Sequence, residues 1–224
     1  MAGIESLRGF RTLEAAERER IAAATREVRA TAGQVLFSAG QDSDAVWAVK
    51  EGLVHMIKHG PGGRDVVLEI VPPGDLFGAV VALNGRPYPA SAVVAEPSVV
   101  WKMPATLARE LCQKHPTLRA AILEHVSTRL HSAHERLCSI ALEHVDQRLA
   151  RQLLVLSEKI GRRENGTTLL HVTRQELADM IGTTVETTIR IASRWQQSGL
   201  IRSARNEIAL VDVEGLERIA KGEA

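Results

Sequence analysis

A chain of 224 residues, 45% hydrophobic and 25% charged, is long enough for one or two folded domains and has the composition of a soluble globular protein. Its formal net charge of +1 announces no strongly basic or acidic field for nucleic acid, membrane surface or polyanion. No apolar run approaches the ~18 residues of a membrane span, no secretory signal pattern opens the chain, and Cys112 and Cys138 form neither a CxxC pair nor a metal-finger spacing, which predicts a cytoplasmic protein with free thiols and no membrane partner.

Residues 13–28 set Leu13, Ala16, Ile21, Ala24 and Val28 among Glu and Arg at helical spacing, and predict an amphipathic helix. Short β-rich runs follow at 34–37, 46–50, 53–58, Asp65–Val71, 92–95 and 99–103. Gly40, Gly52, Gly60-Pro61-Gly62-Gly63, Pro72-Pro73-Gly74 and Pro97 separate them, which is the spacing of a compact β-roll or barrel. Trp47 and Trp101 are expected to fill its core. A short helix is predicted over 104–115, and Pro116 opens a long one over 117–145. Along the long helix Leu118, Ile122, Leu123, Val126, Leu130, Ala133, Leu137 and Ile140 recur at steps of three and four, a narrow stripe that another helix must cover. His131, His134 and Cys138 share one side of it at i, i+3 and i+7. His134 and Cys138 could ligate haem iron or another transition metal, and solvated or interfacial histidines are the alternative.

Residues 144–146 read as a hinge, 147–159 as a helix and 161–166 as a polar turn. Two short helical patterns come next. Arg174–Ile181 places Leu177, Ala178 and Ile181 on one face, Gly182 and Thr183 break the pattern, and Thr184 is a natural N-cap for a second helix over 185–198. On that second helix Thr188, Ile191, Ala192 and Trp195 form one side, and Glu186, Arg190, Ser193, Arg194 and Gln197 the other. Two helices around a tight turn fit a helix-turn-helix. Arg190 suits a guanine edge and Glu186 a cytosine amino group. Ile189 borders the polar side, where it either meets a thymine methyl or is partly buried beside Val185 and Ala192. From position 146 onward 12 Lys and Arg face 11 Asp and Glu, so a DNA site must rest on local clustering of Arg190, Arg194, Arg202 and Arg205. Residues 200–202 and 207–211 flank a polar tip at 203–206 in a hairpin that fits a wing, and Val213–Lys221 reads as a closing helix.

The run TRQELADMIGTTVETTIR resembles the DNA-binding signature of the CRP/FNR family, the bacterial cAMP receptor proteins and fumarate-and-nitrate-reductase regulators. The resemblance covers nearly the whole chain. It implies an α+β fold made of an N-terminal β-roll of the cyclic-nucleotide-binding type (1–116), a dimerisation helix (117–145) and a C-terminal winged helix-turn-helix (146–224). It further implies a homodimer on a pseudo-palindromic double-stranded operator, with RNA polymerase as a partner. Thr173, Arg174 and Gln175 would hold phosphates, Glu186 and Arg190 would read bases, and Thr184, Thr187, Ile189, Arg194, Arg202 and Arg205 complete the expected contact set. Val185 stands where the cAMP branch has a base-contacting Arg, and Ile189 departs from both branches.

The family's ligand segment is matched by Gly74, Leu76, Phe77, Gly78, Ala90 and Ser91, with His131 and His134 facing it from the long helix. Cyclic-nucleotide binders place a Glu and an Arg there, and Ala79 and Ala90 occupy those positions here. A cyclic phosphate would lack its charge-assisted hydrogen bonds, which argues against cAMP. The N-terminal cysteine cluster of the oxygen-sensing relatives is missing, which argues against an iron–sulfur centre; haem stays open as a cofactor. The expected function is a DNA-binding transcription regulator governed allosterically by a small molecule, redox state or gas. The alternatives are a constitutive regulator of the same fold and a haem-based gas sensor. No acid–base pair, nucleophile elbow or phosphate loop supports an enzyme.

Overall fold

The computed structural model describes Gly3, Ile4, Leu7, Phe10 and residues 13–60, 65–164, 167–204 and 206–223. The chain divides into two compact units, Met1–Ser132 and Ala133–Ala224, with the division falling inside a helix.

The first unit begins with α1 (Ala15–Ala24), which ends at Thr25 and passes into β1 (Arg26–Ala30). The helix expected over 13–28 is therefore shorter. Val28 lies opposite Val100 and Ala30 opposite Ser98 in an antiparallel ladder, and this distant pairing outweighs the local helical spacing. There follow β2 (Val35–Phe37), β3 (Ala45–His59), β4 (Asp65–Val71), β5 (Leu76–Phe77), α2 (Ala79–Asn84), β6 (Ser91–Pro104) and α3 (Ala105–Lys114). The strands run in the order β1-β6-β3-β4, with β2 on β6 and β5 on β3, all antiparallel.

Two strands are longer than the turn signals predict. Gly52 and Pro97 do not end strands; they sit in register shifts between β3 and β6 that keep each strand continuous. Gly52 has φ +87°, and a Cβ there would come within 2.7 Å of the Pro97 carbonyl oxygen and of Ser98 Cα. The Ser98 hydroxyl ties the bulge together by donating to the Glu96 carbonyl at 2.6 Å and accepting from the Leu53 N–H at 3.0 Å.

Alternation along β3 and β6 sends side chains to two separate cores. Trp47, Val49, Val54 and Val100 point into the roll with Phe37, Phe77, Tyr88 and Ala90. Val46, Ala48, Trp101 and Met103 point the other way, onto Ile21, Leu107, Ala108, Leu111 and Leu118. Trp101 thus packs under the helices, whereas Trp47 fills the roll as expected. Inside the roll the Phe37 and Tyr88 rings stack at 3.7 Å. Trp47 Nε1 donates to the Tyr88 hydroxyl at 3.2 Å, and that hydroxyl donates to the Ala45 carbonyl at 2.7 Å. Burial pushes the Tyr88 pKa up, so the hydroxyl keeps its proton.

Next comes α4 (Pro116–Leu142), three residues shorter at its C-terminus than expected. Leu123, Leu130, Leu137 and Ile140 on it are each more than half exposed. No helix among the described residues is long and apolar enough to cross a membrane.

In the second unit, α5 (Val145–Ile160) buries Leu149, Ala150, Leu153 and Leu156. Then come β7 (Arg162–Glu164), β8 (Thr167–His171), α6 (Arg174–Ile181), α7 (Val185–Gln197), β9 (Ile201–Ala204), β10 (Glu207–Leu210) and α8 (Val213–Lys221). The polar segment expected to be a plain turn at 161–166 is instead flanked by paired strands, with Arg163 opposite Thr168; its tip, Asn165 and Gly166, lies outside the described residues. The sheet order is β7-β8-β10-β9.

The Tyr88 hydroxyl serves two buried partners at once, so Tyr88→Phe leaves an indole N–H and a carbonyl without one. Urea unfolding is expected to show a loss of about 1–3 kcal/mol. A variant as stable as the parent would mean that water or another group takes over both bonds.

Candidate nucleic-acid interface

The helix pair α6–α7 is built by local chemistry. Thr173 caps α6: its hydroxyl accepts from the Glu176 N–H at 3.1 Å, and the Glu176 carboxylate accepts from the Thr173 N–H at 2.7 Å. Gly182 then turns the chain at φ +67°, a left-handed conformation that lets the helix stop in a single residue. Thr184 caps α7 by accepting from the Thr187 N–H at 3.2 Å. With the entry direction set, Thr188, Ile191, Ala192 and Trp195 are buried, and the opposite side of α7 is left to solvent. Glu186, Ile189, Arg190, Ser193, Arg194 and Gln197 are all exposed.

Among the described residues, the side chains of Glu186 and Arg190 take part in no hydrogen bond or ion pair. They are free to present an acceptor and a donor fork outward. Ile189, between them in sequence, is 49% exposed.

The other expected contacts are placed differently. Arg194 reaches the Asp146 carboxylate at the start of α5. Arg174 points to the wing, where it donates to the Ser203 hydroxyl and, at 2.7 Å, to the Ala204 carbonyl. Its Nη1 is buried with no partner, and burial pulls its pKa down. Gln175 donates to Asp179 one turn on at 2.8 Å, and Thr173 is engaged as a cap. Arg202 is exposed on β9, and Arg205 lies outside the described residues. The wing is also held by Gln196 of α7, whose amide oxygen accepts from the Ser203 N–H at 3.0 Å.

Sequence patterns did not reveal Glu143, at the junction of α4 and α5. Its carboxylate accepts from the Ser139 hydroxyl at 2.5 Å and from Arg151 Nη2 at 2.6 Å, while Arg148 Nη1 donates to its carbonyl at 2.9 Å. Burial works against its charge, yet these hydrogen bonds hold the pKa below the ordinary carboxylate range. Arg148 also donates to the carbonyl of Ile181, the last residue of α6, at 3.1 Å. Glu, Ser and Arg at i, i−4 and i+8 give no pattern that would single them out.

The residues matched to a ligand segment separate between the two faces of the roll sheet. Phe77, Ala90 and Ser91 are buried, and a Cβ on Gly78 would come within 2.9 Å of Tyr88 Cε1. The Ser91 hydroxyl accepts from the Ala39 N–H at 3.0 Å. Gly74 and Leu76 line a cavity on the helical side instead. Ala90, matched to the phosphate-binding Arg, is buried in the cluster of Phe37, Trp47, Phe77 and Tyr88, so that position offers a cyclic phosphate no guanidinium and the residues present do not fit that ligand. His131, His134 and Cys138 are exposed on α4, and no group of three or more His, Cys, Asp or Glu among the described residues could hold a metal ion.

Two family models match the chain: a cyclic nucleotide-binding domain over residues 27–115 and a Crp-like helix-turn-helix domain over 147–219. An anaerobic regulatory protein of Haemophilus influenzae is 29% identical over 185 residues, which cover 82% of this chain and 72% of that protein. A CRP-like cAMP-activated global transcriptional regulator of Mycobacterium tuberculosis is 26% identical over 191 residues, covering 84% of this chain and 85% of that protein. Among solved structures, a CRP/FNR family transcriptional regulator from Thermus thermophilus superimposes with a TM-score of 0.75 at 28% identity, over 89% of this chain and all of that one. The capped helix pair, the wing and the roll together agree with these matches: the chain belongs to the CRP/FNR family of DNA-binding transcription regulators, which are not enzymes.

Proposed function

We propose that the protein works as a cytoplasmic homodimer that reads a pseudo-palindromic operator with α7 of each subunit. The observation that carries this is the exposed trio Glu186, Ile189 and Arg190 on a helix whose opposite side is fully buried. Arg190 takes the two acceptors of a guanine edge, Glu186 a cytosine amino group, and Ile189 a thymine methyl. Thr173, Arg174, Gln175, Thr184, Thr187, Arg194 and Arg202 surround the trio as phosphate contacts, with Arg174 and Arg194 exchanging internal partners for phosphate oxygens.

Dimerisation is supported by α4. Leu123, Val126, Leu130, Ala133, Leu137 and Ile140 step by three and four residues, and the four larger Leu and Ile members are exposed. A two-fold mate would cover that stripe and set the two reading helices one DNA turn, ~34 Å, apart. A shift in α4 packing would alter that spacing and so the affinity for operator. RNA polymerase is the proposed partner for transcription, with the exposed strand Arg162–Glu164 as a contact surface. The effector we infer is a small molecule other than cAMP, given the filled roll. The same filled roll also favours a second reading, a regulator that binds DNA with no ligand in the roll at all.

Arg190→Ala is expected to weaken operator binding by about 1–3 kcal/mol and to relax the choice of one base per half-site, measured by gel shift on a panel of operators. Full affinity and unchanged preference would remove Arg190 from base reading. Leu130→Glu together with Leu137→Glu is expected to give monomers in sedimentation velocity and to abolish tight operator binding; a variant that still sediments as a dimer places the interface elsewhere. Asp146→Asn frees Arg194 and is expected to tighten binding to all sequences about two- to tenfold at low salt, with a steeper salt dependence. Unchanged affinity would mean Arg194 stays away from the backbone.

A further inference from the structure

The helical side of the roll sheet holds a cavity of about 420 Å³. Its floor is Val46 and Met103, whose neighbours Trp47 and Lys102 point to the other side of the sheet. The cavity is therefore separated by the sheet from the aromatic cluster that fills the roll. Leu76, Val80, Leu83 and Ile122, from β5, α2 and α4, supply its apolar walls. The volume lies in the lower part of the ~300–1,000 Å³ range of small-molecule sites, and walls of this kind with a few polar groups are their usual make-up.

The polar groups decide which ligands fit. Asp75, Glu124, Thr128 and Arg129 are the ones on the lining. Arg129 is already bound to Glu69 of β4: Nε donates to one carboxylate oxygen at 3.0 Å and Nη2 meets the other. The Thr128 hydroxyl donates to the Glu124 carbonyl at 3.0 Å, leaving its lone pairs as acceptors. The lining thus carries two carboxylates, Asp75 and Glu124, and one guanidinium, Arg129, which Glu69 already neutralises. An anionic ligand would have to displace Glu69 and would still lie near two further negative charges. A molecule with a donor N–H or O–H finds acceptors in place.

We propose that this cavity binds a lipophilic small molecule with a non-anionic, hydrogen-bond-donating head, and that this molecule is the effector, a role that rests on the regulator reading above. The site is placed to act on α4. Ile122 and Arg129 line it, while Leu123 and Leu130, their immediate neighbours in sequence, are on the exposed stripe. Filling the cavity alters how α4 is held against β4 and α2, the helix that the dimer needs in a defined packing.

The test uses the full chain and two probes with one ring skeleton: N-phenyl-1-naphthylamine, neutral with a donor N–H, and 8-anilinonaphthalene-1-sulfonate, which adds an anion. Fluorescence titration is expected to show one saturable neutral-probe site per chain, at least about tenfold tighter than for the sulfonate. Leu83→Trp and, separately, Val80→Trp fill the cavity and are expected to weaken the neutral probe at least about tenfold with the far-UV spectrum unchanged. Operator DNA is expected to change the probe affinity at least about fivefold, since coupling between two sites is reciprocal. No saturable binding, equal affinity for the sulfonate, or full affinity in both folded filling variants overturns the site. Probe affinity indifferent to operator overturns its effector role. Operator binding by gel shift on the same preparations keeps the two readings apart: a protein that takes up the probe but ignores DNA sinks the regulator reading and leaves the cavity standing.

Discussion

The C-terminal unit depends on one constraint: α7 is fixed on its inner side so firmly that its outer side can be left unsatisfied. Thr188, Ile191, Ala192 and Trp195 are buried, and the cap at Thr184 sets the angle at which the helix begins. Fully burying an aliphatic or aromatic side chain contributes about 1.5–3 kcal/mol, far more than the cost of two exposed charges in water. Glu186 and Arg190 can therefore stay in solvent on the outer side.

Electrostatics in this unit are local. With 12 basic and 11 acidic residues from position 146 onward, no broad positive field draws DNA in. Instead, several arginines are engaged by internal carboxylates and carbonyls. Arg194 lies on Asp146, Arg151 on Glu143, and Arg174 on the wing. The Arg194–Asp146 pair is exposed on both sides, and such a pair contributes at most about 1 kcal/mol. Glu143 and Arg148 join the end of α4 to the end of α6.

In the N-terminal unit, strand alternation decides which side chains fill the roll. Phe37, Trp47, Phe77 and Tyr88 fill the space inside the roll, and the two hydrogen bonds of the Tyr88 hydroxyl leave that interior satisfied. Ala90, where a cyclic-nucleotide binder has its Arg, packs among these rings. A cavity lies on the other face of the same sheet.

Sequence alone determined what is local. The caps at Thr173 and Thr184, the turn at Gly182, the buried side of α7 and the stripe of α4 all follow from spacing within a few residues. The exposed candidates Glu186 and Arg190 were legible for the same reason. Tertiary structure decided what depends on distant partners. Residues 26–30 became a strand because β6 offers them a ladder, and Gly52 and Pro97 became a bulge because each lies against the other's strand. Arg194 and Arg174 took internal partners 48 and 30 positions away, which no periodicity encodes. Trp47 and Trp101 went to opposite cores because strand alternation has meaning only once the sheet has two covered faces.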